Sequence, residues 1–182
     1  MTLLAARNRL WVPSSMPNRL KQGLVGAWPL DEASGNRRDV SGLGNTLLDN
    51  ATVTGNPGPS IYIPLASQFT SANSEYLSIA DNALLSMGDI EFTIACFFYA
   101  DSLPVGNFSG LVTKGNYNVA GGEFFLGIDQ TPGSNLFFSV RNTADTVITD
   151  VAAAAPSTAT LYGIRAWHDP VANQIGLQYG VG

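Results

Sequence analysis

EFTIACFFYAD, Glu91 to Asp101, decides the fold. Phe92, Ile94, Cys96 and Phe98 alternate along it with Thr93, Ala95, Phe97 and Tyr99. A period of two is the signature of an extended strand, whose successive side chains point to opposite faces. One set is wholly apolar and the other half apolar, which suits a central strand of a sheet packed on a second sheet. Ile94 is expected on the buried face, where truncation to alanine would cost about 2–5 kcal/mol. Cys96 reads as a small buried hydrophobe.

Downstream stand GLVTKG, EFFLGID, NLFFSVRN, DTVITDV, LYGIRAWHD and NQIGLQYG, each followed closely by Gly, Asn, Asp or Pro. Short strands at regular spacing with turn signals between them predict an all-β sandwich or barrel. Upstream, GLVGAWPL (residues 23–30) alternates like a strand, and Pro29 places it at an edge or at its own end. The next residues, DEASG and then DVSGLGN, are turn chemistry. TGNPGPS (residues 54–60) reads as a loop, and Tyr76 to Ile79 as a further strand.

Composition agrees. Charged residues are only 13% of the 182, against 45% apolar, with 19 glycines and 10 prolines. That profile favours strands and turns over long helices. A single cysteine excludes an intrachain disulfide framework. No apolar run approaches the roughly 18–20 residues of a membrane span. The N-terminus does not read as a signal peptide, because Arg7 and Arg9 follow its short apolar patch.

Charge is unevenly placed. Residues 1–22 carry Arg7, Arg9, Arg19 and Lys21 and no acid, a net of +4. From Asp39 onward 12 acids stand against Lys114, Arg141 and Arg165, a net of −9. A short basic arm on an acidic body reads as an interaction segment, and an acidic body disfavours nucleic acid. Leu3 to Trp11 could form one or two helical turns, and Pro13 and Pro17 keep the following residues extended. Arg7, Arg9, Trp11, Arg19 and Lys21 are the candidate partner-binding residues, with the body from Gly23 onward expected to fold by itself.

Catalytic chemistry is sparse. The only histidine, His168, sits in WHDP and reads as a turn residue at a strand end. Asp89 and Glu91 have a spacing some glycosidases use, but here they read as solvated acids flanking a buried strand. Asp31, Asp39 and Asn45 offer the hard oxygen ligands calcium needs, without the spacing of a fixed cage. Otherwise no cofactor is implied. Asn116, Tyr117 and Asn118 combine a flat ring with amide groups, the composition of a sugar-binding loop.

GLVGAWPLDEASGNRRDVSGLGN resembles the opening of laminin-G-like domains of the concanavalin A-like lectin/glucanase superfamily. In order behind it, SQFTSANSEYLSIAD, the EFTIACFF run, GLVTKG and LYGIRAWHDPVANQIGLQYGVG are similar to later steps of that family. The likeness covers Gly23 to Gly182. It implies a jelly-roll sandwich of two antiparallel sheets with a short extended N-terminal arm. Cys96-Phe97 replaces the family's tryptophan region, Gly180 stands where Asn is usual, and the family's last strands are missing. The glucanase branch's acidic strand motif is absent too, so no enzymatic activity is expected.

Such a fold serves sugar-binding modules, adhesion domains and virion parts alike. The expected role is a non-enzymatic virion structural protein: a capsid decoration or a head or tail fibre component. The arm would dock on capsid or tail proteins or on neighbouring copies, and the lectin-like domain would face outward. The alternative is a carbohydrate-binding or adhesion module of a bacterial surface or secreted protein, meeting cell-surface glycans outside the cell.

Overall fold

The computed structural model of the chain describes residues 2–4, 23–103, 108–115, 122–129, 133–141, 146–151 and 154–182. Among the described residues twelve strands run in chain order: β1 (Thr2–Leu4), β2 (Leu48–Asn50), β3 (Thr54–Ser60), β4 (Ile63–Gln68), β5 (Tyr76–Ser78) and β6 (Phe92–Tyr99). Then come β7 (Ser109–Lys114), β8 (Phe124–Asp129), β9 (Asn135–Arg141), β10 (Val147–Val151), β11 (Leu161–Asp169) and β12 (Gln174–Val181). The only helical element among the described residues is one 3-10 turn, Ser71–Asn73. The protein is all-β, and β1–β4, β1–β6, β2–β5, β3–β4, β7–β8, β8–β9, β9–β10 and β11–β12 pair antiparallel. Two compact units divide it, Met1–Leu85 with Phe97–Tyr99, and Ser86–Cys96 with Ala100–Gly182. β6 contributes to both.

In the first unit the strand order is β6-β1-β4-β3. β1 is inserted between two partners: Leu3 stands opposite Ser67 on one side and Phe98 on the other. This corrects one expectation about the N-terminus. Leu3 and Leu4 are extended, not helical, because β4 and β6 offer Leu3 ladder partners on both sides and β6 offers one to Leu4. Removing β1 would leave β4 and β6 each without one ladder partner. Deleting residues 1–4 is expected to lower the urea midpoint measurably. A midpoint unchanged within error would show that the insertion contributes nothing.

TGNPGPS is a strand, not a loop. β3 is outermost in its sheet, so Pro57 and Pro59 sit where a missing N–H is tolerated, and the register shifts between Pro57 and Ser60. Gly58 is required at the shift, because a Cβ there would overlap the carbonyl of Ile63. GLVGAWPL shows the opposite outcome. It forms no ladder, and Leu30 at its end is buried with φ of 57°. A loop, described below, binds its backbone instead of a neighbouring strand. β2 and β5 make a separate two-stranded ladder with Asp49 opposite Leu77. Val53, Ile63, Ala66 and Phe98 are buried in this unit.

In the second unit, β12-β11-β6 and β10-β9-β8-β7 pack face to face. The rings of Phe92 on β6 and Phe124 on β8 lie 5.4 Å apart, and Phe138 on β9 meets Phe92 edge-on at 6.2 Å. Leu126, Ile128, Leu136, Ile164 and Ala166 complete the core, while Phe137 is buried on the opposite face of its sheet, where it stacks on Phe125 at 5.3 Å. All six downstream runs named from the sequence are strands. Along β6, Phe92 and Phe98 are buried while Thr93, Ala95 and Phe97 are exposed, so the inward face is the expected one. Ile94 is only half-buried, which shifts the largest truncation cost to the aromatic residues. Burial pushes the Cys96 thiol up to about 12, which keeps it a protonated, inert side chain at neutral pH.

Candidate functional site

Of the predicted site residues, Asp31, Asp39 and Asn45 are described. Arg7, Arg9, Trp11, Arg19 and Lys21, and Asn116, Tyr117 and Asn118, lie outside the described residues.

Asp39 closes a loop. Its Oδ1 accepts from the backbone N–H of Ala27 (3.0 Å) and of Ser41 (2.8 Å). Its Oδ2 accepts from the Ser41 hydroxyl (2.7 Å) and the Asn45 N–H (2.9 Å). Asn45 continues the clamp: its side-chain amide donates to the Val25 carbonyl at 2.7 Å, and its own carbonyl accepts the Trp28 indole N–H at 2.6 Å. The Asn45 side-chain oxygen accepts from Asn82 at 3.2 Å. Val40 N–H donates back to the Ala27 carbonyl at 2.8 Å. These bonds hold GLVGAW extended without a strand beside it.

The same bonds occupy both carboxylate oxygens of Asp39, the central member of the set expected to hold calcium. Four donors converge on the Asp39 carboxylate, and no group of three or more His, Cys, Asp or Glu side chains is poised for a metal among the described residues. The motif is a structural staple. Burial would raise the Asp39 pKa, but hydrogen bonds from Ser41, Ala27 and Asn45 outweigh it and hold the carboxyl below its usual 3.8. A depressed folded pKa means that the stabilisation is fully present above about pH 4 and is lost as pH falls through the folded value. Asp39→Asn should therefore be less stable at pH 7 and show a shallower loss of stability between pH 5 and 2. Equal acid slopes for the two proteins in urea titrations would remove this role.

His168 is not a turn residue. It lies on the inward face of β11, buried, with its ring 5.6 Å from that of Phe92. Nδ1 lies 2.9 Å from the Ile90 carbonyl, which can only accept, so Nδ1 carries the proton. Nε2 is 3.9 Å from the exposed Asp89 carboxylate. The alternation Tyr162, Ile164, Ala166, His168 puts the ring inside, and the imidazole ties β11 to the segment before β6.

The outward face of β11 was not singled out in the sequence, although GIRAWHD places Arg165 and Trp167 two residues apart and hence on one face. Directly opposite on β12 stand Gln178 and Gly176, with Gly163 paired to Gly180 and Asp169 to Gln174. Directly paired residues share a face, with Cβ atoms about 4.5–5.5 Å apart. The benzo ring of Trp167 covers Gly176 so closely that a Cβ there would overlap it. The Arg165 guanidinium carbon is 5.2 Å from the Trp167 ring centroid. A Cβ built on Gly180 would meet open space, so beside Arg165 the sheet surface is bare backbone. Among the described residues the guanidinium, the Trp167 indole N–H and the Gln178 amide have no hydrogen-bond partner or ion pair. The arrangement is a flat shelf edged by the donors of Arg165, Trp167 and Gln178, with the Asp169 carboxylate, which accepts from the Ala172 N–H at 2.9 Å, at its far end.

Comparison of the chain with protein-family models, with curated proteins and with solved structures finds no match.

Proposed function

We propose that the chain is a non-enzymatic glycan-recognition module of a virion, a capsid decoration or fibre component of laminin-G-like, jelly-roll type. The observation that carries recognition is the outward face of β11 and β12. There an aromatic ring, a cation and an amide stand on a glycine floor, the mixture of flat apolar surface and directed donors that suits sugar hydroxyls. The virion setting is supported by the sequence: a +4 stretch over residues 1–22 joined to a −9 body. Since Thr2–Leu4 belong to the sheet, the anchoring segment in this reading is the basic stretch between β1 and Gly23.

The reading is tested by mass spectrometry of gradient-purified particles and by binding of the full chain to an array of bacterial polysaccharides. The expected result is the chain in the particles, and saturable binding to at least one glycan without release of shorter products. Absence from particles would remove the virion assignment. No binding to any glycan would remove the recognition assignment.

A further inference from the structure

We infer that the shelf on β11 and β12 takes a saccharide bearing an acidic group, with Arg165 as the residue that selects for it. The inference rests on the glycan-recognition reading and names its ligand class.

Charge supplies the first argument. From Asp39 onward the chain has three basic residues against 12 acids. Lys114 is held by Glu123 at 3.5 Å and by Ser86 at 3.2 Å, and Arg141 is also engaged. Arg165 alone of the three has neither an ion pair nor a hydrogen bond among the described residues. Carboxylates are abundant in this body, yet its exposed guanidinium stands on a ring instead of beside one.

Geometry supplies the second. Trp167, seated on Gly176, backs the guanidinium and limits its swing. A guanidinium is always charged and presents a planar fork that matches a carboxylate or a sulfate with two parallel hydrogen bonds. Across the strand Gln178 adds an amide, and Gly180, where a Cβ would meet open space, leaves room for a pyranose ring beside the fork. Thr93 and Ala95 on the outward face of β6 are small and exposed and raise no wall. The acidic body repels polyanions at long range, so attraction depends on this local contact and not on a general field.

The test is titration calorimetry of the full chain with four probes: oligogalacturonate, sulfated dextran oligosaccharide, neutral dextran oligosaccharide and oligoglutamate. Binding of an acidic sugar at least tenfold tighter than neutral dextran is expected. The carboxylate and sulfate arms show which acid is preferred. Arg165→Gln should weaken that binding at least tenfold with an unchanged melting temperature, and Arg165→Lys should restore only part of it. Gly176→Ala, which displaces the Trp167 ring, should also weaken it. Equal binding of neutral and acidic sugars, or an Arg165→Gln variant that binds as the parent does, would overturn the selection while leaving glycan recognition standing. Oligoglutamate binding as tightly as either acidic sugar would show a charge contact with protein and overturn it as well. No sugar binding at all would remove the underlying reading.

Discussion

Arg37→Ala is expected to cost about 3–5 kcal/mol, the scale of breaking a buried ion pair by removing one partner. With a urea dependence of about 2 kcal/mol per molar, this is a midpoint lowered by roughly 2 M. Arg37 has no solvent exposure at all. Its Nε donates to the Ser67 hydroxyl at 2.8 Å and Nη2 to the Val53 carbonyl at 2.8 Å, while Nη1 donates to the Gly35 carbonyl. The Glu32 carboxylate lies 4.0 Å from Nε. One side chain thus ties three separated segments of the first unit together. Its backbone bridges to Leu47 on both sides, at 2.8 and 2.9 Å. Alanine would leave buried acceptors without donors and Glu32 without its cation. Arg37→Lys should recover less than half of the loss, because an ammonium cannot present the fork that reaches all three acceptors. A variant whose midpoint falls by less than about 0.5 M would show that water replaces the guanidinium without cost.

The second large effect lies in the other unit. Phe138→Ala should cost about 3–5 kcal/mol, since the residue is fully buried on β9 and a truncated aromatic leaves a cavity. Its edge-on contact with Phe92 at 6.2 Å, with ring planes 78° apart, adds roughly 0.5–1.5 kcal/mol that area alone does not count. Ile94→Ala, by contrast, should cost about 1 kcal/mol, because the side chain is half-buried. Chemical denaturation of both variants decides between them. Equal costs would mean that the inward face of β6 is centred on Ile94 and not on its aromatic ends.

Both predictions concern residues whose roles were unequally legible. Phe138 sits in NLFFSVRN, where an apolar run bounded by turn residues already implies a buried strand. Arg37 sits in NRRD, and nothing local distinguishes it from Arg38, which is exposed. Only the convergence on its guanidinium of Ser67 and Val53, distant in sequence, makes one of the two a core residue. The candidate site behaves likewise. Arg165 and Trp167 share a face by alternation alone. That this face looks outward, and that glycines stand opposite, depends on the β11 to β12 register.

The sequence by itself determined the all-β character and most of the strands. A period-two pattern and its turn residues are local properties, set by Cβ sterics and backbone dihedrals within a few residues. Tertiary structure decided everything that depends on which strand finds which partner. TGNPGPS carries loop residues, yet becomes a strand because an edge position tolerates two prolines. GLVGAWPL carries a strand pattern, yet makes no ladder because the Asp39 to Asn45 loop satisfies its backbone. Asp39 has the chemistry of an ion ligand, but four donors reach it first. In each case the residue offers hydrogen-bonding groups, and distant chain segments determine which groups they meet.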